Sequence, residues 1–584
     1  LGPGVAAAAL EDKLATLAGR YVAPTFDRLG MDFEEFTGDK GNWNFYLQPV
    51  RDIHLHSAGI GNRLGPVGDA ALVRLLRFIA LLILLIAVLN FVNLATARAS
   101  TRAREVGVKK VLGARRGGLV RQFLIESILI SALASGLALL LLQVLPFAIA
   151  SLTGIQLPVE ELLQPAWTPL YFAIPLGLGT LAGLYPAFYL SAFRPLQVLQ
   201  GKVSGGVRTP LLRRVLVTAQ FSIAIALMAG TGLVYQQLRY LQNKELGFDH
   251  EQVLVINDAE RLGDQLESFR NEVQQLPGVR RAALAMDMPG RGAYEDFYGR
   301  EGSDQQLSIS QNKIDGYYFS AMGFELAAGR AFEPGRAADR HSVVINETTA
   351  RLFGWENAQA LGQRITYPEA GSLEIIGVVK DFHFQSLRQA IAPLLFFHLD
   401  AGVWGDQRVL AIKYAQRDQQ ALLAALKKHW ARMTDDLPFD YSFYDEEIAR
   451  LYDGERRLSS LVSLFTGLSL LIAILGLVGL LSFTAEQRRK ELGIRKILGA
   501  SRLQLFALLN RQYLVLFALA MLLAVPLSWP ILQTWLDDFA YRVDVHPLLY
   551  LLAGTAVIIL SLLSVGYLSL RVAAMNPAEV LQEE

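Results

Sequence analysis

Few residues of this 584-residue sequence are spaced for acid–base or metal chemistry. Asp381 and His383 lie between aromatic residues in the run VVKDFHF, where they could form an acid–base pair. We favour the alternative, a strand end whose turn packs on a core. His54 and His56 alternate as they would on a strand, but two histidines without a partner carboxylate are weak evidence for a metal site. The sequence therefore does not indicate an enzyme.

Nucleotide-binding motifs are also missing. The pattern GxxxxGK[ST] is absent, so this chain has no phosphate-binding P-loop and is not itself a P-loop ATPase. The run VSGGV at Val203–Val207 is interpreted as a flexible basic loop. The absence of cysteine excludes disulfides, thiolate catalysis and Cys-based metal sites. With a net charge of +1, the composition does not indicate a nucleic-acid partner, and we expect no cofactor in this chain.

The most specific pattern is a charged segment that occurs twice. The first repeat segment, Arg102–Ala114, reads RAREVGVKKVLGA, and the second repeat segment, Arg488–Ala500, reads RRKELGIRKILGA. The spacing is unchanged throughout, and each copy follows a long apolar run. A period this long is not that of a solenoid and indicates a duplicated module.

Each repeat segment predicts a short amphipathic helix. Val108, Val111 and Leu112 fall on one helical face, and Gly113 and Gly499 stand where a left-handed cap would end the helix. An anchor on anionic headgroups is the simpler interpretation, with the cationic side facing lipid. An anchor does not require Glu and Gly at fixed positions twice, so we favour a shaped docking surface. Its predicted residues are Arg102, Arg104, Glu105, Gly107, Lys109, Lys110, Gly113, Arg488, Lys490, Glu491, Gly493, Arg495, Lys496 and Gly499.

Long apolar runs must position these segments. The chain is 52% hydrophobic, and seven runs reach the roughly 20 residues that a bilayer span needs. The predicted spans are Leu75–Ala97, Phe123–Ala150, Trp167–Phe193, Val215–Tyr235, Leu458–Ala485, Tyr513–Leu532 and Pro547–Leu570. Few ionisable residues lie within them. Glu126, close to Arg121, is expected at the membrane interface, and Asn90 and Asn93 could hydrogen-bond across helices.

Loop charge predicts the orientation. Loops after the first, third and fifth spans are rich in Lys and Arg, whereas those after the second and sixth are acidic. By the positive-inside rule, both repeat segments and the C-terminus are cytoplasmic. Residues 1–70 and 238–456 then lie outside. Because a chain that starts outside needs an earlier span, we expect one span and part of an external domain upstream of Leu1.

The expected fold is a polytopic α-helical membrane protein with an extracytoplasmic mixed α/β domain, built as two tandem modules of one plus three spans. Five short runs predict strands and four predict helices in residues 238–456. The strands are Gln252–Ile256, Val279–Met286, Ser342–Asn346, Leu373–Val379 and Arg408–Tyr414; the helices are Leu262–Leu276, Asn346–Phe353, Asp418–Met433 and Asp445–Leu458. The last helix runs into span five. It is consistent with a rigid stalk and equally with a solvated juxtamembrane helix, and both interpretations stay open.

Both repeat segments resemble the KEIGIRKALGA-type segment of FtsX/MacB-type ABC transporter permeases. Flanking runs extend the resemblance over nearly all the chain from about residue 50: Phe91–Ala97 (FVNLATA), Gln122–Glu126 (QFLIE), Tyr185–Gly201, Arg213–Ser222, Leu246–Ile256, Phe539–Arg542 (FAYR) and Asn576–Leu581 (NPAEVL). The chain is identified as a double-module member that lacks the family's first span. The resemblance implies five parts: a remnant of the first periplasmic domain (1–70), the first FtsX-like permease domain (71–200), the first span of the second module (201–237), a MacB-like second periplasmic domain (238–457) and the second FtsX-like permease domain (458–584).

The resemblance also implies a mechanism. Two copies of a cytoplasmic ABC ATPase would dock on the two repeat segments, bind the ATP, and move the spans and periplasmic domains without passing cargo between the spans. Two fused modules would form a pseudo-dimer in a bacterial inner membrane. Membrane lipids, a periplasmic adaptor or an outer-membrane protein are further implied partners.

Two function classes stay open at this point. One is a permease subunit for efflux or extraction of a drug, peptide or lipoprotein, which an external cavity lined by apolar side chains would favour. The alternative is a non-transporting membrane regulator of a cell-wall hydrolase or sensor kinase, which a flat, protein-sized external patch would favour.

Overall fold

The structure, a computed structural model, describes residues 7–21, 47–57, 68, 70–97, 99–153, 159–191, 208–292, 294–303, 305–367, 371–403, 405, 407–415, 419–434, 437–487 and 489–574. The chain divides into two compact units. The sheet unit comprises Leu1–Gly68, Tyr240–Asp453 and Asp538–Arg542. The helical unit comprises Asp69–Arg239, Gly454–Asp537 and Val543–Glu584.

In the described residues, seven helices are long and apolar enough to cross a membrane. Their uninterrupted hydrophobic composition explains this, since a span must satisfy its backbone internally and face lipid with its side chains. They are α3 (Ala70–Ala97), α5 (Arg116–Leu141), α8 (Thr168–Ser191), α9 (Arg208–Asn243), α15 (Asp453–Gln487), α17 (Arg502–Asp537) and α18 (Pro547–Ala574). The seven predicted spans are confirmed, and the protein is a polytopic membrane protein.

Shorter helices connect or precede the spans. They are α1 (Ala7–Tyr21), α2 (Val50–His56), α4 (Ala99–Val111), α6 (Leu145–Thr153), α7 (Val159–Leu162) and α16 (Arg489–Ile497). The second predicted span is divided, because α5 ends at Leu141 and a turn precedes α6. His54 and His56 lie on helix α2, so placing them on a strand was wrong.

Close helix contacts in the helical unit use glycine. On α8, a Cβ at Gly179 would lie 2.6 Å from the Cα of Ile128, and a Cβ at Gly183 would lie 2.6 Å from the Cβ of Ser127 on α5. Small residues let backbones approach closely, which is how helices gain contact area where lipid supplies no hydrophobic driving force. This contact fixes α5, the helix that follows the first repeat segment, against α8.

The sheet unit holds an eleven-stranded mixed sheet in the order β11-β1-β10-β2-β4-β3-β7-β8-β6-β9, with β5 on β8. A parallel β4–β9 pairing closes one part of it. The strands are β1 (Val253–Ile256), β2 (Val279–Ala285), β3 (Tyr294–Arg300), β4 (Gln306–Ile314), β5 (Leu326–Gly329), β6 (Ser342–Asn346), β7 (Arg364–Tyr367), β8 (Gly371–Val379), β9 (Leu394–His398), β10 (Val409–Tyr414) and β11 (Tyr441–Phe443).

All five predicted strands are confirmed within two residues at each end: β1, β2, β6, β8 and β10. The sequence reading missed the other strands, of which β3 (YEDFYGR) and β4 (QLSISQNKI) are polar enough to read as loop. The helices of this unit are α10 (Leu266–Gln274), α11 (Tyr318–Met322), α12 (Glu347–Leu352), α13 (Gln419–Met433) and α14 (Tyr444–Arg450). A mixed α/β domain is therefore confirmed.

The predicted stalk helix is interrupted. Helix α14 ends at Arg450, and a turn at Leu451 and Tyr452 precedes α15. Glu447 of α14 accepts hydrogen bonds from the Arg291 guanidinium on both oxygens of its carboxylate, at 2.8 and 2.7 Å. Arg291 also donates to Asn257 Oδ1 at 2.7 Å. Helix α14 is thus fastened to the sheet, and the prediction of one continuous helix was wrong.

Candidate functional site

The first repeat segment forms helix α4 and its C-terminal turn. Glu105 and Lys109 stand one turn apart and form an ion pair of 2.7 Å along the helix. Val106, with 1% of its surface exposed, anchors α4 in a cluster with Leu119, Phe123 and Ala187 from α5 and α8. An apolar side chain therefore helps to seat the segment on the helical unit.

A glycine cap ends this helix as the sequence predicted. Gly113 has φ 95°, a left-handed conformation that costs glycine little and other residues more. Its N–H donates to Lys110 O at 3.1 Å, and the N–H of Ala114 donates to Lys109 O at 2.9 Å. These two bonds are those of a Schellman cap. No atom lies within 4 Å of a Cβ placed at Gly113, so backbone conformation alone requires glycine there.

The second repeat segment has the same geometry. Gly499 has φ 90° and donates to Lys496 O at 3.1 Å, while Ala500 donates to Arg495 O at 3.0 Å. Arg495 and Glu491 form the ion pair along the helix, at 2.9 Å. Leu492, at the position of Val106, is buried with Leu505. Two distant parts of the chain therefore present one backbone shape.

Each segment also exposes an apolar end. Leu112 is 81% exposed and Leu498, at the corresponding position, is 80% exposed. Val108 and Val111 in the first copy and Ile494 and Ile497 in the second are exposed in the same way. Large apolar groups repeated at one exposed place indicate an interaction surface.

The cations of the first copy are engaged within the helical unit. Arg102 donates to both carboxylate oxygens of Glu126 on α5, at 2.8 and 2.7 Å, and this bonding raises the pKa of the arginine. Lys110 Nζ donates to the Ser191 carbonyl at 2.7 Å, and burial lowers the pKa of its ammonium. Arg102 and Lys110, both predicted docking residues, therefore also make contacts within the helical unit.

Glu126, Ser191 and the anchors Val106 and Leu492 are contact residues that the sequence analysis did not assign to this site. A lone acid at the end of an apolar run was the available signal for Glu126, but its partner is Arg102 and not the neighbouring Arg121. Gly107 and Gly493 are buried on the seated side of each helix. Arg488 and the side chains of Arg104 and Lys490 lie outside the described residues.

The candidate acid–base residues do not act together. Asp381 accepts hydrogen bonds from the N–H and hydroxyl of Thr348, at 2.8 and 2.9 Å. The His383 ring packs against the Tyr541 ring at 4.6 Å, and burial together with the nearby Lys244 lowers the pKa of this histidine to about 4. These contacts confirm the interpretation as packed structure. Within the described ranges, no group of three or more acidic or histidine side chains is placed to hold a metal.

Two cavities lie within the helical unit. One, of about 220 Å³, is lined by the Arg102–Glu126 pair together with Phe91, Phe123 and Pro186. The other, of about 100 Å³, lies between α3, α9, α15 and α17 and is lined almost wholly by aliphatic and aromatic side chains such as Phe78, Ile223 and Trp535. In the sheet unit, a cavity beside Met288 and Phe382 has only about 20 Å³.

Comparison with known families gives two matches. Residues 77–195 and 463–577 each match the FtsX-like permease C-terminal family, and residues 218–429 match the MacB-like periplasmic core domain. The duplicated family match includes both repeat segments. The periplasmic-domain match extends from α9 into α13 and covers strands β1 to β10.

Individual relatives match shorter parts of the chain. A macrolide export ATP-binding/permease protein, MacB, of Rhodopseudomonas palustris strain HaA2 is 30% identical over 122 residues, which are 21% of this chain and 18% of that protein. A probable export ATP-binding/permease protein of Pseudomonas fluorescens strain Pf-5 is 25% identical over 222 residues, which are 36% of this chain and 32% of that protein. The chain thus matches less than a third of the length of these relatives.

Among solved structures, the periplasmic region of MacB from Actinobacillus actinomycetemcomitans aligns with a TM-score of 0.26 and 15% identity, over 34% of this chain and 91% of that one. The extracellular domain of the ABC-type transporter YknZ from Gram-positive bacteria aligns with a TM-score of 0.23 and 16% identity, over 30% of this chain and 87% of that one.

Proposed function

Starting from the finding that this chain is an FtsX/MacB-type permease of the ABC-transporter class, we propose that it couples ATP hydrolysis by a separate cytoplasmic ATPase to movement of its periplasmic domain. The observation that carries this proposal is the repetition of the docking geometry. Two segments far apart in the chain share a seated apolar anchor, a Schellman cap and three exposed apolar side chains.

A two-copy ATPase is the partner that suits such a pair. The 584 residues contain no P-loop, so in this proposal ATP is bound and hydrolysed outside them. Both relatives named above are described as ATP-binding/permease proteins, and this chain matches only a minor part of each. The exposed ends at Leu112 and Leu498 would each enter an apolar groove on one ATPase subunit, as amphipathic helices do.

The function is proposed to be efflux or extraction of a cargo with an apolar part. Drug-sized ligands occupy pockets of roughly 300–1,000 Å³. The cavity between α3, α9, α15 and α17, of about 100 Å³, suits a hydrocarbon segment better than a whole macrolide. An acyl chain of a lipoprotein fits that description. Neither cavity described in the sheet unit meets the criterion of an external cavity lined by apolar side chains. The larger, of about 330 Å³, is lined mainly by polar and charged residues such as Arg300, Glu301 and Gln305, and the other has only about 20 Å³.

Co-purification of the full chain with candidate ABC ATPases, with ATP hydrolysis as readout, tests the docking. The double variant Leu112→Ser, Leu498→Ser removes both exposed ends without touching a seated residue. We expect it to lose ATPase binding and stimulation. Leu352→Ser, at an exposed leucine of the sheet unit outside the membrane spans, is the control and should retain both. Unchanged binding by the double variant would refute the docking.

A second measurement, made once the ATPase is bound, distinguishes extraction of a cargo from the regulatory alternative. Release of a fluorescent fatty-acyl lipopeptide from vesicles on ATP addition supports extraction. If ATP hydrolysis is stimulated while no lipopeptide leaves the vesicles, movement without this cargo is indicated and the extraction part of the proposal fails.

The orientation is also a proposal, and the absence of cysteine makes it simple to test. Arg300→Cys places one thiol on an exposed site of the sheet unit. A membrane-impermeant maleimide should label it from the periplasmic side of intact cells. Labelling from the cytoplasmic side alone would overturn the topology.

A further inference from the structure

Helices α3 and α15 occupy corresponding places in the two repeats. Asn90 stands 23 residues before the capping Gly113, and Gly476 stands 23 residues before the capping Gly499. The spacing in the repeat segments is unchanged, so each position in α3 has one counterpart in α15. This correspondence allows a direct test for symmetry in the contacts of the helical unit.

Equivalent positions of the two repeats share one apolar cluster, and Asn90 lies directly against its own counterpart, Gly476. One apolar cluster contains Leu72 with Leu458, Ile79 with Phe465, and Ile86 with Ile472, and the two members of each pair are equivalent in the repeats. In a twofold arrangement, only groups close to the axis can contact their own equivalents. The α3–α15 seam therefore lies on a pseudo-twofold axis that relates the two halves of one chain.

The seam follows a heptad spacing. On α3, a row of positions at intervals of four and three residues comprises Ile79, Ile83, Ile86, Asn90, Asn93 and Ala97. All but Asn90, which is partly buried, are buried, and Val92 and Thr96 beside this row are buried as well. The row has the spacing of residues that face a partner in a two-helix coiled coil. In such a seam a single polar residue specifies which partner and register are accepted, at some cost in stability.

At one level of this seam the two halves are unequal. The Asn90 side chain lies where a Cβ on Gly476 would have to go, and its Nδ2 donates to the Ile472 carbonyl at 3.4 Å. Gly479 likewise receives Leu94, whose Cδ2 would lie 2.5 Å from an added Cβ. Any residue other than glycine at 476 would overlap Asn90, so the asparagine and the glycine fit one another.

Polar atoms line the same spot. Asn90 Oδ1 and Gln220 Nε2, from α9, are buried without a hydrogen-bond partner in the described part of the chain. The Gln220 amide lies 3.2 Å from the place of a Cβ on Gly476, so it also borders the glycine. The space at Gly476 is thus filled on one side by Asn90 and bounded on another by Gln220.

We propose that Asn90 and Gly476 form an unequal pair on the pseudo-twofold axis. This pair favours association of the first half with the second half of the same chain over association of two identical halves from two copies. Two first halves would set Asn90 against Asn90, where the structure provides the space of a glycine. Two second halves would set Gly476 against Gly476 and leave that space empty, which costs packing contacts.

Cysteine cross-linking of the full chain tests which halves meet. The sequence has no cysteine, so a disulfide can form only between the introduced thiols. Asn90→Cys with Gly476→Cys should form a disulfide within one chain. Leu85→Cys with Leu471→Cys, a corresponding pair that is exposed on the same two helices, is the matched control and should form none. If the seam pair gives no intrachain disulfide, or Asn90→Cys alone gives a covalent dimer, the proposal is overturned.

A swap of the two residues tests the fit itself. Gly476→Asn alone should lower the unfolding temperature of the full chain in detergent because two side chains then compete for one space. Asn90→Gly alone should lower it by leaving the space empty. The double variant Asn90→Gly, Gly476→Asn restores one side chain on the axis and should recover much of both losses, because residues in contact are not additive. Losses that simply add in the double variant would refute the pairing. Neither test uses an ATPase, so this inference can fail or hold independently of the proposed docking.

Discussion

The first and second repeat segments share a backbone but are secured by different side chains. In the first, Arg102 of α4 binds Glu126 on α5 through two hydrogen bonds. In the second, the residue at the same distance from the capping glycine as Glu126 is Gln512, which carries no charge. The charged pair that joins the first helix to α5 therefore has no equivalent acid at the corresponding place on α17.

The second segment is secured at its turn instead. Ser501 accepts a hydrogen bond from Gln504 N at 3.2 Å, and Gln504 Oε1 accepts one from Ser501 N at 2.8 Å. This reciprocal pair is a capping box, and it joins the turn after α16 to the start of α17. The corresponding residue in the first copy is Arg115, which makes no side-chain cap bond.

The features common to both repeat segments are those that the proposed docking requires, and the features that differ are free to vary between the halves. The anchors, the glycine caps and the exposed apolar ends are common to both copies, whereas the fastening to the neighbouring span is not. A force applied to α4 is passed to α5 through the Arg102–Glu126 pair as well as the turn. A force applied to α16 enters α17 at the capping box. The two halves should therefore respond unequally to a symmetric partner.

The largest effect should come from removing one docking end at a time. Because a pre-ordered surface loses less entropy on binding, we expect Leu112→Ser to reduce ATPase retention more than Leu498→Ser does. Retention of the ATPase on immobilised full-length chain, measured for each single variant, gives the ratio. Equal losses would show that the Arg102–Glu126 pair does not affect docking.

The pH dependence of unfolding can be tested in the sheet unit, which contains neither repeat segment. Burial raises the pKa of Asp315 from 3.8 to about 6, although Leu284 N donates to it at 2.9 Å. The folded state thus keeps a proton that the unfolded state loses, so the contribution of Asp315 to the free energy of unfolding falls as pH rises from about 4 to about 6 and is constant above. The cost at pH 7 is roughly 3 kcal/mol. His383 contributes in the opposite direction, because its lowered pKa makes the folded state lose its proton first.

Asp315→Asn should remove the contribution of Asp315 from the unfolding of the sheet unit in the full chain, followed by denaturant titration between pH 4 and 7. Asp264→Asn, at an exposed site of the same unit, is the control and should leave that contribution in place. A pH dependence of unfolding that is the same in the Asp315 variant as in the unchanged chain would contradict the assignment.

The caps should respond equally in the two copies. Gly113→Ala and Gly499→Ala each force alanine into the left-handed region, which costs about 1 kcal/mol. Neither added methyl meets another atom, so no packing difference adds to the cost. Faster amide exchange over the last turn of each helix, measured by mass spectrometry, should be similar for both variants. A clear difference in exchange rate between the two variants would show that the two caps differ in backbone strain although their conformations are alike.

The smallest effect should lie in the charged pair. Glu126→Gln gives the first copy the residue that the second carries, and Gln512→Glu gives the second copy an acid at the corresponding place. The pair is about two-fifths exposed, so its loss should cost only about 0.5 kcal/mol. Amide exchange should become faster over α4 in the first variant and slower over α16 in the second. Exchange that does not change in either variant would remove the basis for unequal fastening.

Local patterns account for the parts of the site that sequence could predict. The glycines at the ends of α4 and α16 were predicted from their place after an amphipathic run, and the left-handed caps at Gly113 and Gly499 confirm it. The ion pairs Glu105–Lys109 and Glu491–Arg495 follow from one-turn spacing. By contrast, β3 and β4 alternate too few apolar residues to be recognised, and only their neighbours in the sheet make them strands.

What the sequence by itself determined is the number of membrane spans, the duplication and the capped shape of the two repeat segments. Hydropathy, φ preference and helical spacing act within a few residues, so they can be read along the chain. Only the tertiary structure decided that Arg102 pairs with Glu126, that Arg291 holds α14 and that Asn90 fills the space at Gly476. Each of these contacts joins residues from different helices or strands, and their meeting depends on how the whole unit packs.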